Sequence, residues 1–169
     1  MSHLPYPFSP IVPGRDHPLP TAVVYCEANF GHPDGKTANG LVRHSERYAI
    51  LSVIDSTQAG HDTGTVLGDG PNGIMLCADL DEAIRLAGAV PDFMIFGMAP
   101  SSGLLSPTER DAMLDAMSRG MDIVNGLHEF MNDDPEFAAA AAAYGVTLLD
   151  VRRPRDKTEL RLFSGRIAE

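Results

Sequence analysis

Short apolar runs, each bounded by glycine, proline or charged residues, recur along this chain at spacings that leave room for a helix between most of them. The runs at residues 22–28, 48–54, 74–77, 93–98, 121–127 and 146–151 are rich in Val, Ile, Phe and Met and apolar on both faces. Strands covered by helices on each side have that composition. Between them the period changes to that of a helix. Lys36, Ala38, Leu41 and Val42 share a helical face behind Asp34 as the expected N-cap, although Gly35 and Gly40 weaken this helix. Asp79-x-x-Glu82 is a capping-box pattern that opens LDEAIRLAG, closed by Gly88. Ser106-Pro107-x-Glu109 starts a helix that ends at Gly120, and Asp134-Pro135 starts FAAAAAAYG, whose small alanine face permits close packing. Strand alternating with helix in this order predicts an α/β domain of three layers, about six mostly parallel strands with helices on both faces. Residues 56–73 carry five glycines and read as one long loop, a length that in a compact domain is usually functional or disordered.

Composition narrows the class. The 169 residues suffice for one domain that buries roughly 70% of its unfolded surface. No apolar run approaches the ~20 residues of a membrane span. With 23 acidic and 13 basic side chains the net charge is −10, which disfavours nucleic acid and anionic lipid as partners. A small anionic ligand would therefore need local donors. Residues 1–20 hold six of the thirteen prolines and form an extended arm, either laid across a surface or free as a leader. The domain is expected over 21–155, with a charged tail or linker at 156–169. Cys26 and Cys77 lie in or beside apolar runs and the first twenty residues lack a basic-then-apolar signal, so a reducing cytoplasm is expected.

The candidate chemistry lies where strands end. Gly31-x-x-x-Gly35-Lys36-Thr37 follows the first strand and differs from a phosphate-binding P-loop by one residue, since Phe30 stands where the first glycine is needed. A dinucleotide fingerprint is absent there. The turn from Asn29 through Gly31 to Lys36 and Thr37 is either an anion cradle or a surface turn at a helix start. Asp55 ends the second strand, where an acid can meet a ribose hydroxyl or cap a loop. Ser101, Ser102 and Gly103 follow the fourth strand and can present N–H groups to an anion, or simply connect elements. His128, just past the fifth strand, is the candidate general base, with a polar turn residue as the alternative. Arg152, after the sixth, can supply charge. The dispersed histidines offer no metal-ligand spacing, so no metal is expected, and both cysteines read as small buried hydrophobes.

Several stretches carry a family resemblance: GLVRHSERYAILSVIDSTQAGHDTGTVL, GIMLCADLDEAI, PDFMIFGMAPSSGLLSP and GMDIVNGLHEFMNDDPEFAAAAAAYGVTLLDVRRP. Together they resemble the N-terminal Rossmann-like domain of the D-glutamate N-acetyltransferase family, over about residues 20 to 165. The resemblance implies acetyl transfer from acetyl-CoA to the amino group of D-glutamate. It also implies a C-terminal P-loop domain as partner, absent from this sequence, and a homo-oligomer. A looser likeness of layout to the CoA-binding domain of succinyl-CoA synthetases points to the same cofactor, with a nucleotide possible. On this reading Asn29, Gly31, Lys36, Thr37, Asp55, Ser101, Ser102, Gly103 and Arg152 are cofactor-binding candidates and His128 the catalytic one. The rival expectation is a non-catalytic nucleotide- or CoA-binding or docking module.

Overall fold

In the computed structural model, which describes residues 18–100 and 102–154, the first apolar run becomes strand β1 (Thr21–Tyr25), with every residue buried. Parallel pairing places β2 (Ala49–Ile54) on one side of it and β4 (Phe93–Phe96) on the other. Outside these lie β3 (Met75–Cys77) against β2, then β5 (Asp122–Asn125) and β6 (Leu148–Asp150) beyond β4. The order is β3-β2-β1-β4-β5-β6, all parallel. This is the order of the doubly wound nucleotide-binding sheets.

Each strand is shorter than its apolar run, and in β1, β4 and β5 the last residues leave the ladder while the core continues past them. Cys26, Met98 and Leu127 are buried just beyond the ends of β1, β4 and β5. At the opposite edge Asp92 accepts from Thr21 N (2.7 Å) and Thr21 Oγ1 (2.8 Å), fixing the starts of β1 and β4 in register.

Right-handed crossovers decide the faces. The helices α1 (Lys36–His44) and α2 (Thr63–Val66) link strands stepping outward from β1 to β3 and share one face. The helices α3 (Leu80–Ala87), α4 (Pro107–Ser118) and α5 (Pro135–Tyr144) follow the reversal and cover the other. Helix α5 turns Phe137, Ala140 and Ala141 toward the core and leaves Ala138, Ala139, Ala142 and Ala143 exposed. Ser106 and Glu109 form the complete capping box expected for α4. In α3 only half of the pattern forms: Asp79 accepts from Glu82 N, whereas the Glu82 carboxylate takes the N–H of Ala78.

Two local expectations are corrected. Asp34 does not cap α1; it lies in a 3-10 turn, Pro33–Gly35, and Gly35 precedes the helix with no side-chain cap. The reason is that the Asp34 carbonyl accepts from Ala99 N (2.8 Å), which draws the turn onto the end of β4. Residues 56–73 are not one open loop, because they contain a 3-10 turn, Ser56–Gln58, and α2. Asp62 organises this segment by accepting from the N–H groups of Thr65, Asn72 and Gly73. Those bonds, with that of Thr65 first, outweigh desolvation and hold its carboxyl below the usual carboxylate range. The proline-rich arm through residue 17, Ser101 and the tail from residue 155 lie outside the described residues.

Helix α1 sits against β1 and β4 because Gly97 has no side chain. Ala38 N donates to the Gly97 carbonyl at 2.9 Å. A Cβ on Gly97 would stand 2.3 Å from Val24 Cγ1 and 3.0 Å from Ala38 Cβ. Gly97→Ala is therefore expected to cost about 1–3 kcal/mol of stability through overpacking, measured as a lowered urea midpoint with an unchanged denaturant slope.

Candidate functional site

Because the sheet is wholly parallel, the segment after every strand emerges at one edge. Ligands of such sheets bind beyond that carboxyl edge, at the point between β1 and β4 where the strand order reverses. Asn29, Gly31, Lys36, Asp55, Ser102, Gly103, His128 and Arg152 all lie in or just after segments that leave this edge. Ser101 is outside the described residues.

The turn after β1 is occupied by the chain itself. Asp55 is fully buried, and its carboxylate accepts from Phe30 N (3.0 Å), Thr57 N (3.1 Å), Thr57 Oγ1 (2.6 Å) and Gln58 Nε2 (3.4 Å). The N–H of Gly31, which has φ +80°, goes to Asn39 Oδ1 at 3.0 Å. In a P-loop, N–H groups such as these would face phosphate oxygens; here side chains of the same domain take them. Next to this turn, the Glu27 carboxylate accepts from Ser56 N (2.9 Å) and Ser56 Oγ. Asp55 therefore braces the turn, and its carboxylate has no exposed surface for a ribose hydroxyl.

The remaining candidates fall into two groups. Near the reversal point, Asn29 donates to the Glu27 carbonyl and touches Met98 Sδ at 3.8 Å, while Lys36 and Thr37 are exposed on the first turn of α1. Farther along the edge, Ser102 and Gly103 form a tight turn in which Gly103 N donates to the Pro100 carbonyl and Ser102 Oγ bonds both Leu104 N and O. The Glu129 carboxylate accepts from Leu105 N (2.8 Å), tying that turn to the segment after β5. His128 is exposed, and its Nε2 lies 2.8 Å from Arg152 Nη1. A guanidinium only donates, so this bond selects the neutral imidazole tautomer with its proton on Nδ1.

What places His128 beside Arg152 is a buried clasp that sequence reasoning missed. Asn125, at the end of β5, donates from Nδ2 to Asp150 Oδ1 (2.8 Å) and to the Glu129 carbonyl (2.7 Å), and accepts from Leu127 N (3.0 Å). Asp150, at the end of β6, also accepts from Met131 N, Asn132 N and Asn132 Nδ2. Both are polar residues that interrupt apolar runs near their ends, and that interruption was the signal available in the sequence. Charge on this edge is unevenly committed. Arg110 pairs with Asp134 and Glu136, and Arg153 with Asp133, whereas neither Lys36 nor Arg152 has a carboxylate within ion-pair distance among the described residues. Burial first, then Asp55 and Glu27, pushes Cys26 up to about 12, and burial chiefly raises Cys77, so both remain thiols near neutral pH. Among the described residues there is no His, Cys, Asp or Glu cluster that could hold a metal ion, and no helix long and apolar enough to cross a membrane.

Strand order and edge geometry define a Rossmann-like α/β domain. Residues 56–154 match the Rossmann-like domain of unknown function DUF1611_N, and the chain belongs to that family. It is 39% identical over 75 residues to a D-glutamate N-acetyltransferase of Tritonibacter scottomollicae, covering 44% of this chain and 22% of that protein. A second D-glutamate N-acetyltransferase, from a Pseudoalteromonas species, is 29% identical over 91 residues, covering 54% of this chain and 25% of its own length. The matched segments thus span about a quarter of these relatives. A solved DUF1611 family protein from Anabaena variabilis superimposes with a TM-score of 0.71 at 25% identity, covering 81% of this chain and 38% of that one.

Two outcomes follow from the carboxylates at this edge. Asp55→Ala strips the acceptor from the buried N–H of Phe30 and from Thr57, and should cost roughly 3 kcal/mol in chemical denaturation, as hydrogen bonds to a charged group cost ~1.5–3 kcal/mol each when broken. Burial acts to raise Asp150, but the bonds from Asn132, Asn125 and Met131 outweigh it and leave the carboxyl below its usual range. A depressed carboxyl contributes fully above the unfolded value of about 4 and loses that contribution as pH falls through the folded value. The urea midpoint should therefore fall below about pH 4, and fall less steeply in Asp150→Asn.

Proposed function

We propose that this chain is the Rossmann-like unit of an N-acyltransferase of the D-glutamate N-acetyltransferase type, and that it receives an anionic small molecule at the carboxyl edge over β4 to β6. The observation that carries this reading is the His128–Arg152 pair: an exposed imidazole and a guanidinium without a carboxylate partner among the described residues, joined at 2.8 Å beside the Ser102–Gly103 turn. The similarity to curated D-glutamate N-acetyltransferases supports the reaction class. In this scheme a substrate carboxylate pairs with Arg152 and draws the guanidinium off Nε2. The freed lone pair of His128 then takes the proton as the neutral amine attacks the thioester carbonyl of acetyl-CoA, the C–N bond forms, and the C–S bond breaks to release the thiolate. Lys36 and Thr37, on the first turn of α1, and Asn29, in the turn after β1, contact the CoA phosphates. A P-loop domain and further copies of the chain complete the assembly, in the cytoplasm.

A second reading, a non-catalytic nucleotide- or CoA-binding or docking module, draws on the exposed Leu104 and Val151, 57% and 60% accessible beside the same edge. Calorimetric titration of the chain with acetyl-CoA, D-glutamate, ATP and NAD separates the two. Heat with acetyl-CoA or D-glutamate, weakened at least ~10-fold in Arg152→Ala as expected for a lost charged hydrogen bond, supports the acyltransferase reading. Heat with none of the four favours docking. In the acetylating enzyme His128→Ala should lower kcat by about 100-fold or more, and unchanged turnover would remove His128 from the chemistry.

A further inference from the structure

On the face of the sheet opposite α1, a cleft of about 330 Å³ opens between α3 and α4 over the ends of β1, β2 and β3. That is the small end of the range for small-molecule sites, roughly 300–1,000 Å³. It uses none of the residues of the edge site proposed above except that it shares the end of β1. We propose that this cleft binds a small primary amine with an apolar body, held as the ammonium by the Tyr25 hydroxyl and an acidic rim.

Three observations lead there. The first is an unpartnered group. Tyr25 is 5% exposed, its ring is stacked on Phe96 at 6.0 Å between centroids, it lines the cleft, and its hydroxyl has no hydrogen-bond partner among the described residues. A phenol at a cleft wall with no internal partner keeps its donor and its acceptor free for a bound molecule. Burial, then Glu27 and Glu109, pushes Tyr25 up to about 12, and the group stays a neutral phenol able to accept from an ammonium.

The second is charge. Every ionisable carboxylic or basic residue lining the cleft is acidic: Glu27, Asp79 and Asp115. Each is held in place by its own partner, Glu27 by Ser56 N, Asp79 by Glu82 N and Asp115 by Arg119. Arg119 offsets Asp115, so the uncompensated charge at the rim is that of Glu27 and Asp79, which repels a ligand anion and attracts an ammonium. Since the described residues include no metal-binding cluster, the carboxylates do not converge on a point as an inorganic cation requires.

The third is the floor. Ile54, Leu80, Met94 and Ala112 line the depth of the cleft with hydrocarbon, so the preferred cation carries an apolar body and places its charge toward the rim.

The test is a titration of the 169-residue chain with 2-phenylethylamine, 2-phenylethanol and 3-phenylpropanoate, followed by calorimetry and by amide shifts. The amine should bind, the alcohol about 10-fold more weakly or less well still, and the carboxylate not measurably. Binding of the amine should weaken several-fold between low salt and about 0.5 M salt, as screening requires. Tyr25→Phe, which keeps the stacked ring, should weaken the amine by about 10-fold at an unchanged thermal midpoint. Ala112→Leu, which fills the cleft, should remove binding. Equal affinity for the three probes, preference for the carboxylate, undiminished binding in Ala112→Leu, or no amine binding up to about 10 mM, beyond even a millimolar dissociation constant, would each overturn the proposal. None of these readouts depends on His128 or Arg152, so the result stands apart from the edge site.

Discussion

The structure at the carboxyl edge depends on one buried carboxylate. Asp55 sits at the end of β2, yet its strongest obligations are to the turn after β1 and to its own 3-10 turn. A carboxyl group with no solvent exposure is tolerated only if its polar atoms are partnered, and four donors reach it here. The same bonds fix the turn that precedes α1, and α1 in turn packs on Gly97 at the end of β4. Through this chain of contacts the geometry of the reversal point is set by a negative charge internal to the fold. A nucleotide-binding sheet ordinarily leaves that position to the phosphate of its ligand.

The net acidity of the chain acquires structure on this background. Carboxylates gather where helices and turns begin: Asp62, Asp79 and Asp134 each accept from N–H groups at a helix start. Glu109, Asp115, Glu136 and Asp81 then tie arginines to those helices or close their first turns. Much of the acidic excess thus serves as internal wiring. At the carboxyl edge, Lys36 and Arg152 are the cations without a carboxylate partner among the described residues, and they gain weight because so few competitors stand beside them.

The fold was largely legible in the sequence, and the site only in part. Six apolar runs of strand length, separated by capped helices, suffice to predict a parallel sheet, since Ser106-Pro107-x-Glu109 and Asp134-Pro135 mark helix starts that packing had no reason to override. Position at a strand end also selected Asp55, Ser102, His128 and Arg152. What the spacing could not carry was partnership. His128 and Arg152 are 24 residues apart and meet because β5 and β6 are neighbours clasped by Asn125 and Asp150. Likewise the end of β2 left Asp55 open as an acid meeting a ribose hydroxyl or one capping a loop turn, and the hydrogen bond from Phe30, 25 residues earlier, which favours the second, is a property of the folded turn. Asp34 was misplaced for a similar reason: a carbonyl contact with Ala99, far along the chain, won over local capping preference.

The clasp between β5 and β6 has a mechanical side. Val151 N donates to the Asn125 carbonyl and Arg153 N to the Asp150 carbonyl, so the chain leaves β6 in a tight turn that carries Arg152 at its crest. Beneath that turn Asp150 is anchored by side chain and backbone alike, while above it the guanidinium reaches His128 through a single bond. Strain arriving through Pro154 would meet the Arg153–Asp133 ion pair and the stacking of Arg153 on Phe130 before it reached Arg152, so the residue after it shields the guanidinium that faces His128.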